Sequence, residues 1–173
     1  YSHHQMIRAV SFDCAETLLK VRWAPAPFAI QCAEALEIPL DKQVASETYE
    51  RLFRTRYPEF LAVNQLRNPE AAQNWLRELS SAWLDQLSIP FLYVEPLIEI
   101  GNQLLYGPGS TIFELFDDVI QTLEMLKSQQ IPMIVISNWD ESLHRVLESR
   151  GLLDYFEFAL ASLVEGVEKP DPK

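Results

Sequence analysis

Two textures alternate along the chain. The apolar positions Ile7, Ala9, Val10 and Phe12 crowd into a short run, too short for a surface helix and dense enough for a strand inside a parallel sheet. The run ends on one carboxylate, Asp13, and a tight polar turn with Thr17 leads to Leu18 and Leu19. From residue 20 to about 109 the spacing becomes helical. Pro25 and Pro27 open a first helix with Phe28, Cys32, Ala35 and Leu36 on one face, and Ile38-Pro39 closes it. Asp41 is the candidate N-cap of a second, whose stripe is Ala45, Tyr49, Leu52, Phe53 and Arg56. Asn68-Pro69-Glu70 combines a cap, a first-turn proline and an acid at the positive end of the helix dipole. The third helix that follows carries Ala72, Trp75, Leu76, Leu79, Ala82, Trp83 and Leu87 at helical spacing. A fourth covers roughly 95–106 and stops at Gly107-Pro108-Gly109.

From Ser110 the first texture returns. The pattern predicts a helix over 117–130 with Val119, Ile120, Leu123 and Leu126 inward, and a buried strand over 131–136. A helix over 141–150, closed by Gly151, and a strand over 156–161 complete the series. Strands alternating with helices imply an α/β fold, with a Rossmann-like three-layer parallel sheet as its core. The predicted division is an α/β core from 1–19 and 110–173 with a helical domain, 20–109, inserted into it. The aromatics of that domain, Trp23, Tyr49, Phe53, Tyr57, Phe60, Trp75, Trp83 and Tyr93, are expected to pack its core. Arg51, Arg54 and Arg56 are expected on a solvated face beside Glu47 and Glu50.

Candidate chemistry collects where strands end. Parallel strands joined through a helix bring their C-terminal ends to one rim, where open α/β sheets bind ligands. Asp13 stands at one such end, Ser137-Asn138-Trp139-Asp140 at another, and Lys169 follows the third. A carboxylate, hydroxyl and amide donors and a fixed cation suit phosphoryl or acyl-like transfer through an aspartyl ester. A carboxylate attacking phosphate is anion against anion, and at ~4 Å with an effective dielectric of ~20 each pair of charges costs about 4 kcal/mol. A divalent cation with lysine beside it offsets that repulsion, and Mg²⁺ suits an oxygen site with few protein ligands. Backbone N–H groups after Asp13 are expected to form a nest for phosphate oxygens.

Composition narrows the partners. The net charge of −11 disfavours nucleic acid and anionic membrane. No apolar run is long enough to span a bilayer and the start YSHHQ has no secretory pattern. Cys14 and Cys32 form no metal or redox spacing, which points to a reducing, cytoplasmic setting. His3 and His4, ahead of Met6, are expected to be a tag remnant or the cut edge of a longer chain rather than metal ligands.

The sequence resembles the haloacid dehalogenase superfamily of hydrolases through FDCAETLL around Asp13, VISNWD around Ser137 and EGVEKPDP around Lys169, in that order. The resemblance implies Asp13 as nucleophile and metal ligand, the Ala15 carbonyl as a second ligand to Mg²⁺, Ser137 on phosphate, Asn138 supporting the site and Lys169 neutralising charge. Ser137, Asn138 and Thr17 are the candidate substrate-binding residues. The helical insertion resembles the family's α-helical cap, which chooses the substrate. Two features depart from the pattern. Family phosphatases carry a second aspartate two places after the nucleophile as general acid and base, where this chain has Ala15. The neighbouring Glu16 is expected to point elsewhere. The acidic fourth motif has no counterpart before Lys173, so the chain is expected to be a fragment with an incomplete core. The implied function is a Mg²⁺-dependent phosphatase of a small phosphorylated metabolite, impaired by Ala15. The alternatives are a non-catalytic module on the same fold that binds a protein partner and, third, a haloacid dehalogenase.

Overall fold

The computed structural model describes residues 7–172; His3, His4 and Met6 lie outside them. The chain divides into two compact units, Tyr1–Val21 with Glu114–Lys173, and Arg22–Phe113.

In the first unit, β1 (Val10–Phe12), β4 (Met133–Ser137) and β5 (Phe158–Ala161) form a parallel sheet in the order β1-β4-β5. Val10 stands opposite Met133 and Phe12 opposite Val135, while Val135 pairs with Ala159 and Ser137 with Ala161. Helices α5 (Val119–Ser128) and α6 (Leu143–Ser149) enter β4 and β5 respectively. Both crossovers step the same way across the sheet, so right-handed connections put both helices on one face. Met133, Val135, Ala159 and Ala161 are buried on that face. On the other, Phe158 and Leu160 are 49% and 36% exposed.

The expected strand bounds shift for one reason, which is where the hydrogen-bond ladder begins. Val10 N–H donates to the Pro132 carbonyl at 2.9 Å, so β1 starts there. Ile7, expected inside the strand, is 64% exposed and lies ahead of its first residue, Val10. Phe156, expected to start the third strand, instead packs edge-on against Phe12 at 6.0 Å. Ile120, expected inward on α5, is 40% exposed, a quarter turn away from the buried Val119 and Leu123. The sequence pattern missed a two-stranded sheet of β2 (Leu19–Val21) and β3 (Phe113–Leu115).

The second unit holds α1 (Pro25–Ala35), α2 (Lys42–Gln65), α3 (Pro69–Gln86) and α4 (Val94–Tyr106). Asp41 caps α2 by accepting from Gln43 and Val44 N–H, and Asn68 caps α3 by accepting from Glu70 N–H. Helix α2 runs on through Pro58, which stands on an exposed turn. Trp83, 1% exposed, joins α3 to α2: its Nε1–H donates to the Ala45 carbonyl at 2.9 Å and its ring meets Tyr49 edge-on at 5.3 Å. Trp75 packs on Phe53 and Phe60, whereas Trp23 and Tyr57 remain exposed. Arg56 pairs with Glu59 and Glu78, and Arg51 bonds Gln86, rather than the expected Glu47 and Glu50. Among the described residues no helix is long and apolar enough to cross a membrane.

Candidate active site

Asp13 follows the last residue of β1, and Ser137 is the last residue of β4. Because the strands are parallel and paired, both side chains emerge on the same rim. Lys169 reaches that rim from the turn after β5. One carboxylate oxygen gathers all of them. Asp13 Oδ1 accepts from the Cys14 N–H at 2.8 Å, from Ser137 Oγ at 3.0 Å and from Lys169 Nζ at 3.1 Å. Asp13 Oδ2 accepts nothing among the described residues, so the carboxylate has one oxygen anchored and one open. Burial acts to raise the Asp13 pKa, but the Cys14 N–H, Lys169 and Ser137 together outweigh it and hold the group below its ordinary value.

The turn after Asp13 is closed by its own main chain. Thr17, Leu18 and Leu19 N–H all converge on the Cys14 carbonyl, and Glu16 N–H donates to Leu19 at 2.7 Å. Glu16 takes up a left-handed conformation, φ 56°, to make the reversal. The expected phosphate nest is therefore largely absent: of the N–H groups of residues 14–19, only that of Ala15 has no bond among the described residues. The Ala15 carbonyl is also open. Glu16 Oε1 accepts from Val21 N–H at 3.0 Å, which turns its carboxylate away from Asp13. Thr17 is exposed and its hydroxyl forms no hydrogen bond among the described residues. Cys14 is fully buried, and burial followed by the charge of Asp13 pushes its thiol up to about 12, so it is no nucleophile at neutral pH.

Ser137 is 1% exposed and held by the β4 ladder, which aims its hydroxyl without help from solvent. Asn138 does not point an open amide at the rim. Its Nδ2 donates to the Lys169 carbonyl at 3.1 Å and its Oδ1 accepts the Lys169 N–H at 2.9 Å. Lys169 Nζ also donates to the Ile136 carbonyl at 2.8 Å. Two contributors escaped the sequence pattern: that carbonyl, and Ser162, whose Oγ accepts the Trp139 N–H at 3.2 Å. A main-chain acceptor leaves no mark in residue identity, and the sequence pattern gave Ser162 no role.

Among the described residues no three of His, Cys, Asp and Glu stand together as a metal cluster. Asp13 Oδ2 and the Ala15 carbonyl are two open oxygens two residues apart. That donor set fits Mg²⁺ held mostly by water and substrate, since this ion commonly takes only one or two carboxylates from protein.

The haloacid dehalogenase-like hydrolase family matches residues 7–173. The Danio rerio haloacid dehalogenase-like hydrolase domain-containing protein 3 is 30% identical over 174 residues, 96% of this chain and 68% of its own length. A Thermotoga maritima protein assigned as a beta-phosphoglucomutase shares the fold with a TM-score of 0.53 at 20% identity, over 95% of this chain and 66% of its own. A Bacillus subtilis protein assigned as a HAD-hydrolase, whose crystal structure is bound to magnesium, gives 0.52 at 19% identity, over 95% and 69%.

Proposed function

The chain belongs to the haloacid dehalogenase-like hydrolase family, and on that premise we propose that it hydrolyses a small phosphorylated metabolite through an aspartyl phosphate on Asp13. The observation that carries this reading is the convergence of Ser137 Oγ and Lys169 Nζ on one oxygen of Asp13, with the other oxygen open. The Asp13 carboxylate attacks phosphorus, the ester P–O bond breaks, and its electron pair leaves with the alkoxide, which takes a proton from water. A water molecule then attacks the phosphorus of the aspartyl ester, the bond to Asp13 breaks, and inorganic phosphate departs with the carboxylate restored. Ser137 Oγ–H and Lys169 Nζ, already at that carboxylate, donate to the phosphoryl oxygens as charge shifts onto them. Asp13 and the Ala15 carbonyl would hold Mg²⁺, which would supply positive charge to offset the repulsion between the carboxylate and the phosphate.

Ala15 has no proton to give, and Glu16 is tied to Val21, so the leaving group departs without an acid from this turn. Turnover is therefore slow for alkyl phosphates and faster for esters whose alcohol leaves readily. The test is release of inorganic phosphate from an aryl phosphate with and without Mg²⁺. Activity that requires Mg²⁺ and disappears in Asp13→Asn supports the reading, and activity that persists in that variant removes Asp13 as the nucleophile.

A further inference from the structure

We infer that Asn138 is a positioning residue, whose carboxamide grips the main chain of Lys169 and so holds the lysine ammonium on Asp13. The inference rests on the hydrolase reading, because it concerns the cation of that same site, and it replaces the expected contact between Asn138 and substrate. The bonding is unambiguous in its polarity. A peptide N–H can only donate and a carbonyl only accept, so the carboxamide that meets both at 2.9 and 3.1 Å has one fitting orientation.

Lys169 needs such a grip because no regular structure holds it. The short helix α7 (Ser162–Glu165) ends at Gly166, whose φ of +71° reverses the chain, and Lys169 then lies within a turn closed by Asp171 N–H on Glu168. Its side chain is 44% exposed. An exposed lysine on a free turn samples many rotamers. Here its backbone is tied at both polar groups by Asn138, and its ammonium bridges Asp13 and the Ile136 carbonyl. Asn138 itself is well placed to act as the anchor. It directly follows Ser137 in β4, and the next residue, Trp139, is fastened to the segment after β5 through Ser162 Oγ and Leu163 N–H. The rung from Asn138 to Lys169 therefore extends a rigid connection between the two strand ends.

The direct test is hydrogen exchange of the Lys169 amide, which needs no turnover. Asn138→Ala is expected to speed that exchange on the order of tenfold while the amides of β4 keep their rates. Asn138→Asp keeps an acceptor for the Lys169 N–H and should retain most of the protection. An unchanged Lys169 rate in Asn138→Ala overturns the inference, and so does an equal acceleration throughout β4. A second arm measures the Kd of inorganic phosphate in Asn138→Ala, Lys169→Met and the double variant. The double variant should bind no more weakly than Lys169→Met alone. Losses that multiply would mean that Asn138 meets the phosphate on its own, which overturns the inference. Failure of the unaltered protein to bind phosphate removes the hydrolase reading instead, and the exchange result then decides the role of Asn138 by itself.

Discussion

Restoring a proton donor at residue 15 is the perturbation that probes the site most sharply. Ala15 sits two residues after Asp13 and is partly exposed, so an aspartate fits there without displacing core. Its main chain flanks the bridge to Leu19, which involves only backbone and survives the exchange of side chain. The other acid in the turn, Glu16, is engaged by Val21 N–H. On the proposed mechanism, Ala15→Asp supplies the general acid that the turn lacks. A placed general acid is worth about 10² to 10⁴ in rate, which is about 3 to 5 kcal/mol off the barrier. The introduced carboxyl lies near the Asp13 charge, and like-charge repulsion raises its pKa. That keeps it protonated to higher pH, as a donor must be. The assay is steady-state phosphate release from one alkyl and one aryl phosphate at the same saturating Mg²⁺. The gain in kcat should fall on the alkyl ester, whose alkoxide needs the proton most, and largely vanish on the aryl ester. An equal gain on both would show that leaving-group protonation is not what the residue supplies, and no gain on either would mean that the acid is not the missing element.

Three further expectations follow from single contacts. Trp83→Phe removes the donor to Ala45 and part of a fully buried ring; the lost hydrogen bond and the small void together cost about 2 kcal/mol. Urea unfolding followed by far-UV circular dichroism reads this directly, and a loss below about 0.5 kcal/mol would mean that Trp83 does not join α3 to α2. Burial pushes the thiols of Cys14 and Cys32 up to about 12, so iodoacetamide at pH 8 should label neither in the folded protein and both in urea; rapid labelling of the native chain refutes that burial. Asp13 is held below its ordinary value of 3.8 by Cys14, Lys169 and Ser137 against the opposing effect of burial. A group whose folded pKa is depressed contributes stability above its unfolded pKa and loses it as pH falls through the folded value. The difference in Tm between the unaltered protein and Asp13→Asn should thus be fully present at neutral pH and shrink below pH 3.8, and a difference independent of pH would deny the ion pair with Lys169.

Local pattern determined much of this protein. Strand, turn and helix types follow from periods of two and 3.6 and from caps such as Asp41 and Asn68, whose partners lie two or three residues away. The candidate residues were legible too, since Asp13, Ser137 and Lys169 are recognised by residue type and by their position after strands. What residue identity leaves open is which partner each polar group meets. Asp13 and Ser137 are separated by 124 positions, and Asn138 and Lys169 by 31. Only the tertiary fold decides that Asp13 meets Ser137 and Lys169 and that Asn138 holds a lysine backbone, whereas the closing of the turn on the Cys14 carbonyl is local although residue types do not mark it. Ile7 carries the same lesson for burial: its side chain suits a core, but it lies ahead of β1 and is 64% exposed. Propensity is a property of a few neighbouring residues, whereas hydrogen-bond satisfaction and burial depend on the packing of segments far apart in the chain, and chemistry at this site belongs to the second kind.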